Sequence, residues 1–345
     1  MYNEEIPYDK VPESNDQAYK RNIWNAAIGL QAVDGLEPSP YLKKLAEDNI
    51  SGNKSYEEVE KDLKKEYGND NRSDRQKEAD IVSNRIAQLL ETSKFVMSPN
   101  LLLSIHDFLF EDVLDSEITG KFRKYNITKK EPILMGDTVL YTDFLSIKSQ
   151  LKFFLEEESS YRYSTPLTDN DIEHLSSFTR NIWQTHPFGE GNTRTTAVFI
   201  ELYLLSLGFD VDNTSFKEHS TFFRNALVRS CYSNKGYDVI PTYSFLNHFY
   251  KNLLCGANYI LDDFDLFITN KEDINYMFNK SNTIKPVEYM GYTATFSKDY
   301  LIITAPDSNK TVIKDKSVLK NINNSKDLEE FLILFYNQYI DKGGR

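Results

Sequence analysis

The chain has 345 residues, 40% hydrophobic and 13% aromatic, enough for a packed core, so disorder is not its default. Fifty-two acidic against 40 basic residues leave a net charge of −12, which argues against broad nucleic-acid or anionic-membrane binding. Cys231 and Cys255 have no metal-ligand spacing and are expected to be buried reduced thiols; with no apolar h-region at the N-terminus, a cytoplasmic setting and no membrane anchor are expected.

Residues 1–17 are polar, hold two prolines and read as a flexible arm. A helix follows, carrying Ile23, Trp24, Ala26, Ala27, Ile28, Leu30 and Val33, with a break at Asp34-Gly35 and a turn at Pro38-Ser39-Pro40. A second helix is expected over 41–49. In a third, Ser55 and Glu58 have capping-box spacing and Tyr56, Val59, Leu63 and Tyr67 form the apolar face. Three helices this short bury little by themselves and should pack on something else. Residues 68–74 read as a polar linker.

Helices are expected over 77–92 and 99–110, the latter with His106 as a core or boundary residue. Residues 133–145 are β-prone around Gly136-Asp137, a hairpin pattern. Further helices are expected over 144–157, 171–183, 195–207, 215–230 and 242–256. Arg224, Asn225 and Arg229 lie on the fourth of these, where surface salt bridges are the plain expectation. Beyond Asp262 the pattern changes to strands within 289–304 and an amphipathic helix over 328–339, a small α+β appendage.

The chemistry gathers in His186-Pro187-Phe188-Gly189-Glu190-Gly191-Asn192-Thr193-Arg194. The run after it is apolar on all sides, too short to span a bilayer and closed by Gly208, so the turn should open onto the N-terminus of a buried helix. Such an N-terminus offers free amides and partial positive charge to a phosphate. Gly189 and Gly191 allow close backbone approach. Arg194 is poorly placed for the helix dipole unless it faces a polyanion, Glu190 could carry Mg²⁺ beside phosphate, and His186 can take a proton near neutral pH. Pro187 should hold His186 in an extended backbone. A plain Glu190–Arg194 ion pair is the simpler alternative. No P-loop pattern exists, and His186 with Glu190 lacks further zinc ligands.

HPFGEGNTR resembles the signature of the Fic (Fido) family, HPFx(D/E)GNGRxxR, with two departures: Thr193 in place of glycine and Ala197 in place of the second arginine. The family spans bacterial and eukaryotic proteins. The resemblance implies a mainly α fold: a Fic-type helical bundle with a small β-hairpin flap, an N-terminal three-helix antitoxin-like segment over 18–68 and the Fic domain over 75–260; the appendage over 270–345 has no such likeness and no role is read for it. It implies a protein adenylyltransferase that moves AMP from ATP, with Mg²⁺, to a Ser, Thr or Tyr hydroxyl of a target protein and releases pyrophosphate. In that reading His186 is the catalytic base and Glu190 holds the metal. Gly189, Gly191, Asn192, Thr193 and Arg194 bind the nucleotide, while Phe188 plugs the core. Ile133, Leu134, Met135, Gly136 and Asp137 form the flap that holds the target by strand addition, and Gly120-Lys121-Phe122-Arg123 resembles a structural stretch of the family.

The front segment resembles a Fic-type antitoxin, whose glutamate pairs with the second signature arginine and blocks ATP. Asp34-Gly35 falls where Glu-Gly would be, which makes Asp34 the candidate inhibitory acid. Its shorter side chain, Leu30 in place of a hydroxyl residue and Ala197 together imply weakened or absent inhibition by that contact. A turn former ahead of Gly35 is the plainer reading of Asp34. The departures leave room for phosphoryl or other nucleotide-moiety transfer, or for a catalytically silent Fic-fold interaction module. Self-association into a homo-oligomer is left open.

Overall fold

A computed structural model of the protein describes residues 15–68, 74–268, 285–296, 300–307, 309–313, 318, 322 and 325–337. Most of the expected arm lies outside these residues, and the chain is already helical at Asn15. The architecture is mainly helical, as the sequence pattern implies. Two compact units divide it, Met1–Ile268 and Thr269–Arg345.

In the first unit, α1 (Asn15–Gly29) buries Ile23, Trp24, Ala26 and Ala27. A 3-10 turn over Leu30–Asp34 follows and ends at Gly35, whose φ of 66° is the left-handed conformation glycine tolerates. Ser39 caps α2 (Pro40–Ile50) by accepting the Leu42 amide, with proline at the first helical position. Before α3 (Tyr56–Gly68), Glu58 accepts the Ser55 amide and Ser55 accepts that of Glu58, so both halves of the capping box form. Its buried residues are Tyr56, Val59, Leu63 and Tyr67. α4 (Asp74–Thr92) and α5 (Pro99–Phe110) complete the layer against which α8 packs.

Helices α6 (Ile147–Ser160), α7 (Asp169–Thr185), α8 (Asn192–Ser206), α9 (Thr214–Cys231, kinked at His219) and α10 (Ser244–Cys255) build the rest. α8 is buried from Asn192 to Leu204 and contacts α4, α5 and α7. One continuous hydrophobic core runs from Ile23 to Leu266, so the front helices share it with the helices around the signature. α1 meets α9 closely: a Cβ at Gly29 would lie 2.2 Å from the Phe216 carbonyl oxygen.

The hairpin expected over 133–145 does not form. Pro132–Leu134 make a 3-10 turn that puts both Ile133 and Leu134 into the core, which the alternation of a strand forbids. Met135 and Gly136 take positive φ, and Gly136 and Glu131 close the loop through the Gly136 amide to Glu131 and the Glu131 amide to Asp137. Buried Glu131 pairs with Arg224 at 2.6 Å, and Asn225 donates to Asp263; both α9 residues are buried, not on the surface. Arg229 is likewise spent on the Leu266 carbonyl. Of the cysteines, Cys231 is buried but Cys255 is exposed, since it falls in the last turn of α10.

The second unit is an antiparallel meander in the order β1 (Val287–Tyr289), β2 (Tyr292–Phe296), β3 (Leu301–Thr304) and β4 (Lys310–Ile313). Met290 and Gly291, both at positive φ, make the two-residue turn between β1 and β2. α11 (Ser325–Phe335) covers Ala294, Phe296, Leu301 and Ile303 with Leu328 and Leu332.

Candidate functional site

The signature turn joins the C-terminus of α7 to the N-terminus of α8. His186 caps α7 in the left-handed conformation (φ 43°, ψ 59°), donating its amide to the Trp183 carbonyl at 3.0 Å. The extended backbone expected from Pro187 is therefore not adopted. Proline excludes the right-handed helical well, which ends α7, and the cap bond selects the left-handed one. Arg123 locks this geometry. Its buried guanidinium donates to the carbonyls of His186, Tyr125 and Thr142, and its amide donates to Pro187, so one side chain ties the 125–142 segment to the cap.

His186 keeps one nitrogen for chemistry. Nδ1 faces the Trp183 carbonyl at 3.2 Å and must carry the proton there, which leaves the lone pair on Nε2. Tyr141 lies against the ring at 4.1 Å and Trp183 meets it edge-on at 5.2 Å. Burial in this aromatic corner pushes the imidazole pKa down to about 3, so it is neutral throughout the physiological range.

Phe188 is fully buried and stacks on His106 at 3.9 Å. His106 accepts the Gly120 amide on Nδ1, so Nε2 carries the hydrogen and donates to the Glu190 carbonyl. Burial holds it neutral, with a pKa lowered to about 4. Asn192 spends its amide on the turn, accepting the Phe188 N–H and donating to the Phe188 carbonyl, both at 2.9 Å. The Thr193 hydroxyl accepts the Trp183 indole N–H at 2.9 Å. Gly191 sits at φ 71°, and a Cβ there would lie 2.4 Å from the Phe110 ring. Gly189 is exposed beneath the Tyr125 hydroxyl. The N-cap of α8 is Gly191, which has no side chain to cap the first amides of the helix.

Arg194 is fully buried. Its Nε lies 2.8 Å from Asp34 without hydrogen-bond alignment, its Nη2 donates to Glu78 at 2.6 Å and its Nη1 to Gln31 at 3.1 Å. Its other face rests on the Phe110 ring at 4.8 Å. The plain Glu190–Arg194 pair does not form. Asp34 does end its turn before Gly35, and its carboxylate also reaches the signature arginine. Glu78 and Gln31 carry no sequence mark of this role; Glu78 lies 116 residues from its partner.

Glu190 is exposed, and its carboxyl pKa is raised by partial burial first and then by the charges of Glu78 and Asp34. A carboxylate in an acidic field with no basic partner of its own fits a site that takes a divalent cation through one protein ligand plus substrate oxygens. Among the described residues no group of three acid, histidine or cysteine side chains stands ready to cage a metal. Ile133 and Leu134, expected in the flap, are buried in the core, and Asp137 accepts the Tyr232 hydroxyl.

Several solved structures resemble the chain, three of them as follows. The N-terminal FIC domain of Bep8 from Bartonella sp. 1-1C has 18% identity and a TM-score of 0.40, covering 50% of this chain and 81% of that one. The type IV secretion system effector protein BepA has 17% identity and a TM-score of 0.41, covering 69% and 88%. A FIC domain containing signaling protein from Bacteroides thetaiotaomicron has 14% identity and a TM-score of 0.35, covering 74% and 91%. No curated protein matches. No helix among the described residues is long and apolar enough to cross a membrane. A family model described as Fic/DOC family matches residues 96–204, the span that runs from α5 into α8 and holds the whole signature turn, so the chain carries a Fic/DOC family domain there.

Proposed function

We propose that this protein transfers AMP from ATP to a Ser, Thr or Tyr hydroxyl of a target protein. The observation that carries the reading is the pairing of a neutral imidazole, its Nε2 lone pair free, with an uncapped helix N-terminus one short turn away. His186 Nε2 would take the hydroxyl proton as its oxygen attacks the α-phosphorus, and pyrophosphate leaves; a base so placed contributes about 10²–10⁴-fold. The amides from Gly191 to Arg194 would receive the phosphate oxygens. Glu190 would hold Mg²⁺, which when bound offsets charge on the phosphates. Exposed Leu140, on the stretch whose carbonyl accepts from Gln184, and Tyr125 form the rim the target would meet. Arg194 is the group for the β-phosphate, and in this state Asp34 and Glu78 keep it occupied, so they act as inhibitory acids that phosphate must displace.

Incubation with ATP labelled separately at the α and γ positions tests this. Label carried to protein from the α position, and lost in His186→Ala, is the expected result; label from γ alone means phosphoryl transfer. A second reading, a silent interaction module, is favoured by the sequestration of Arg194. Absence of any label from wild type and from the Asp34→Ala/Glu78→Ala double variant would establish it.

A further inference from the structure

We infer that Thr193 is a positioning residue for His186, acting through the indole of Trp183. The inference rests on His186 being the proton acceptor. Thr193 stands where the signature resembled above carries glycine, and its side chain is not idle: its hydroxyl, nearly buried, accepts the N–H of an equally buried tryptophan at 2.9 Å. That bond fastens the first turn of α8 to the last turn of α7. Trp183 then acts on His186 twice. Its carbonyl accepts both the His186 amide and the Nδ1 proton, and its ring meets the imidazole edge-on at 5.2 Å, 89° between planes. Tyr141 packs on the same imidazole at 4.1 Å and on the Trp183 ring at 5.9 Å.

The Nδ1 contact, 3.2 Å, is at the long end for a hydrogen bond and cannot by itself hold the ring. The corner formed by the Trp183 and Tyr141 rings, which also pack on each other at 5.9 Å, must do so, and the indole is fixed only while its N–H has an acceptor. A glycine at 193 would leave that buried N–H unpaired, so residues 183 and 193 work as a pair. Through it, Thr193 decides which imidazole nitrogen is protonated and where the Nε2 lone pair points.

The test is histidine side-chain ¹⁵N NMR on the full chain, with His186→Ala assigning the signal, beside steady-state labelling with α-labelled ATP. Wild type and Thr193→Ser are expected to show a single neutral Nδ1–H tautomer for His186. Thr193→Val, equal in shape but without an acceptor, is expected to show a mixture of tautomers and to lose roughly tenfold or more in kcat with KM little changed, as small misplacements of a reacting group do. Trp183→Phe, which removes the donor and keeps a ring, is expected to give the same mixture and serves where Thr193→Val does not fold. A Thr193→Val protein that keeps the Nδ1–H signature overturns the inference. If no form transfers label, the proposed activity fails while the tautomer readout still decides the role of Thr193.

Discussion

Arg194 gives the sharpest quantitative handle on the site. It is fully buried, and its charge is met by Glu78, 16% exposed and aligned at 2.6 Å, and by Asp34, 26% exposed and unaligned at 2.8 Å. Removing Glu78 as Ala takes away a hydrogen bond to a charged group, worth about 1.5–3 kcal/mol. Removing Asp34 as Ala takes away a partly exposed pair, worth about 0.5–1 kcal/mol. Removing both leaves a buried guanidinium with no acid, which costs about 3–5 kcal/mol, more than the separate losses. Urea midpoints at constant m-value measure this coupling. Over the same series, affinity for ATP with Mg²⁺ should rise, most in the double variant, because phosphate becomes the arginine's counter-charge. Point substitutions are the right perturbation. Deleting the front segment would strip Ile23, Trp24, Leu30 and Leu63 from the shared core, each contributing about 1.5–3 kcal/mol, against a usual total of about 5–15 kcal/mol. Strictly additive stability losses with unchanged nucleotide affinity would refute the idea that these acids compete with phosphate.

Gly191→Ala should destabilise by about 1–3 kcal/mol from the left-handed backbone alone, more from the collision with Phe110, with partial recovery in Phe110→Leu; thermal melts of the two variants check it. His186, held near 3 against an ordinary 6.5, contributes stability that is full above 6.5 and is lost as pH falls towards 3; in His186→Gln the urea midpoint should lose that part of its acid slope. Glu201 behaves oppositely. Buried in α8 with only Asn213 donating to it among the described residues, its carboxyl is raised to about 8, so its contribution is full below 4.5 and disappears as pH rises through 8. Glu201→Gln should flatten the loss of stability between pH 5 and 9, which pH-dependent urea midpoints would reveal.

Local signals were the legible ones. The capping box at Ser55 and Glu58, the apolar face of α3 and the all-round apolar pattern of α8 each depend on neighbours within a few residues, and each appears in the structure. What pairs across the chain was not legible. Arg224 is surface-like in its own helix and buried only because Glu131 arrives from 93 residues away. The run 133–145 has β-prone residues, but the Pro132 turn sends Ile133 and Leu134 inward together, and that depends on the core waiting beneath them. The place of His186 at the head of the signature turn was readable. Its handedness was not, because the cap bond to Trp183 and the Arg123 clamp outweigh the local preference before proline.

On the proposed reading, Asp34 and Glu78 are a restraint that shares its packing with the site it restrains, so it cannot be shed. α1 lies against α9 with no room even for a methyl group at Gly29, so the residues that reach Arg194 are not free to dissociate as a separate subunit would. On that reading, relief is an exchange of counter-ions at a fixed seat, set by nucleotide concentration and salt. Drift in the front helices then becomes a folding problem first, and only the polar tips, Gln31, Asp34 and Glu78, remain open to tuning the threshold without unsettling the whole.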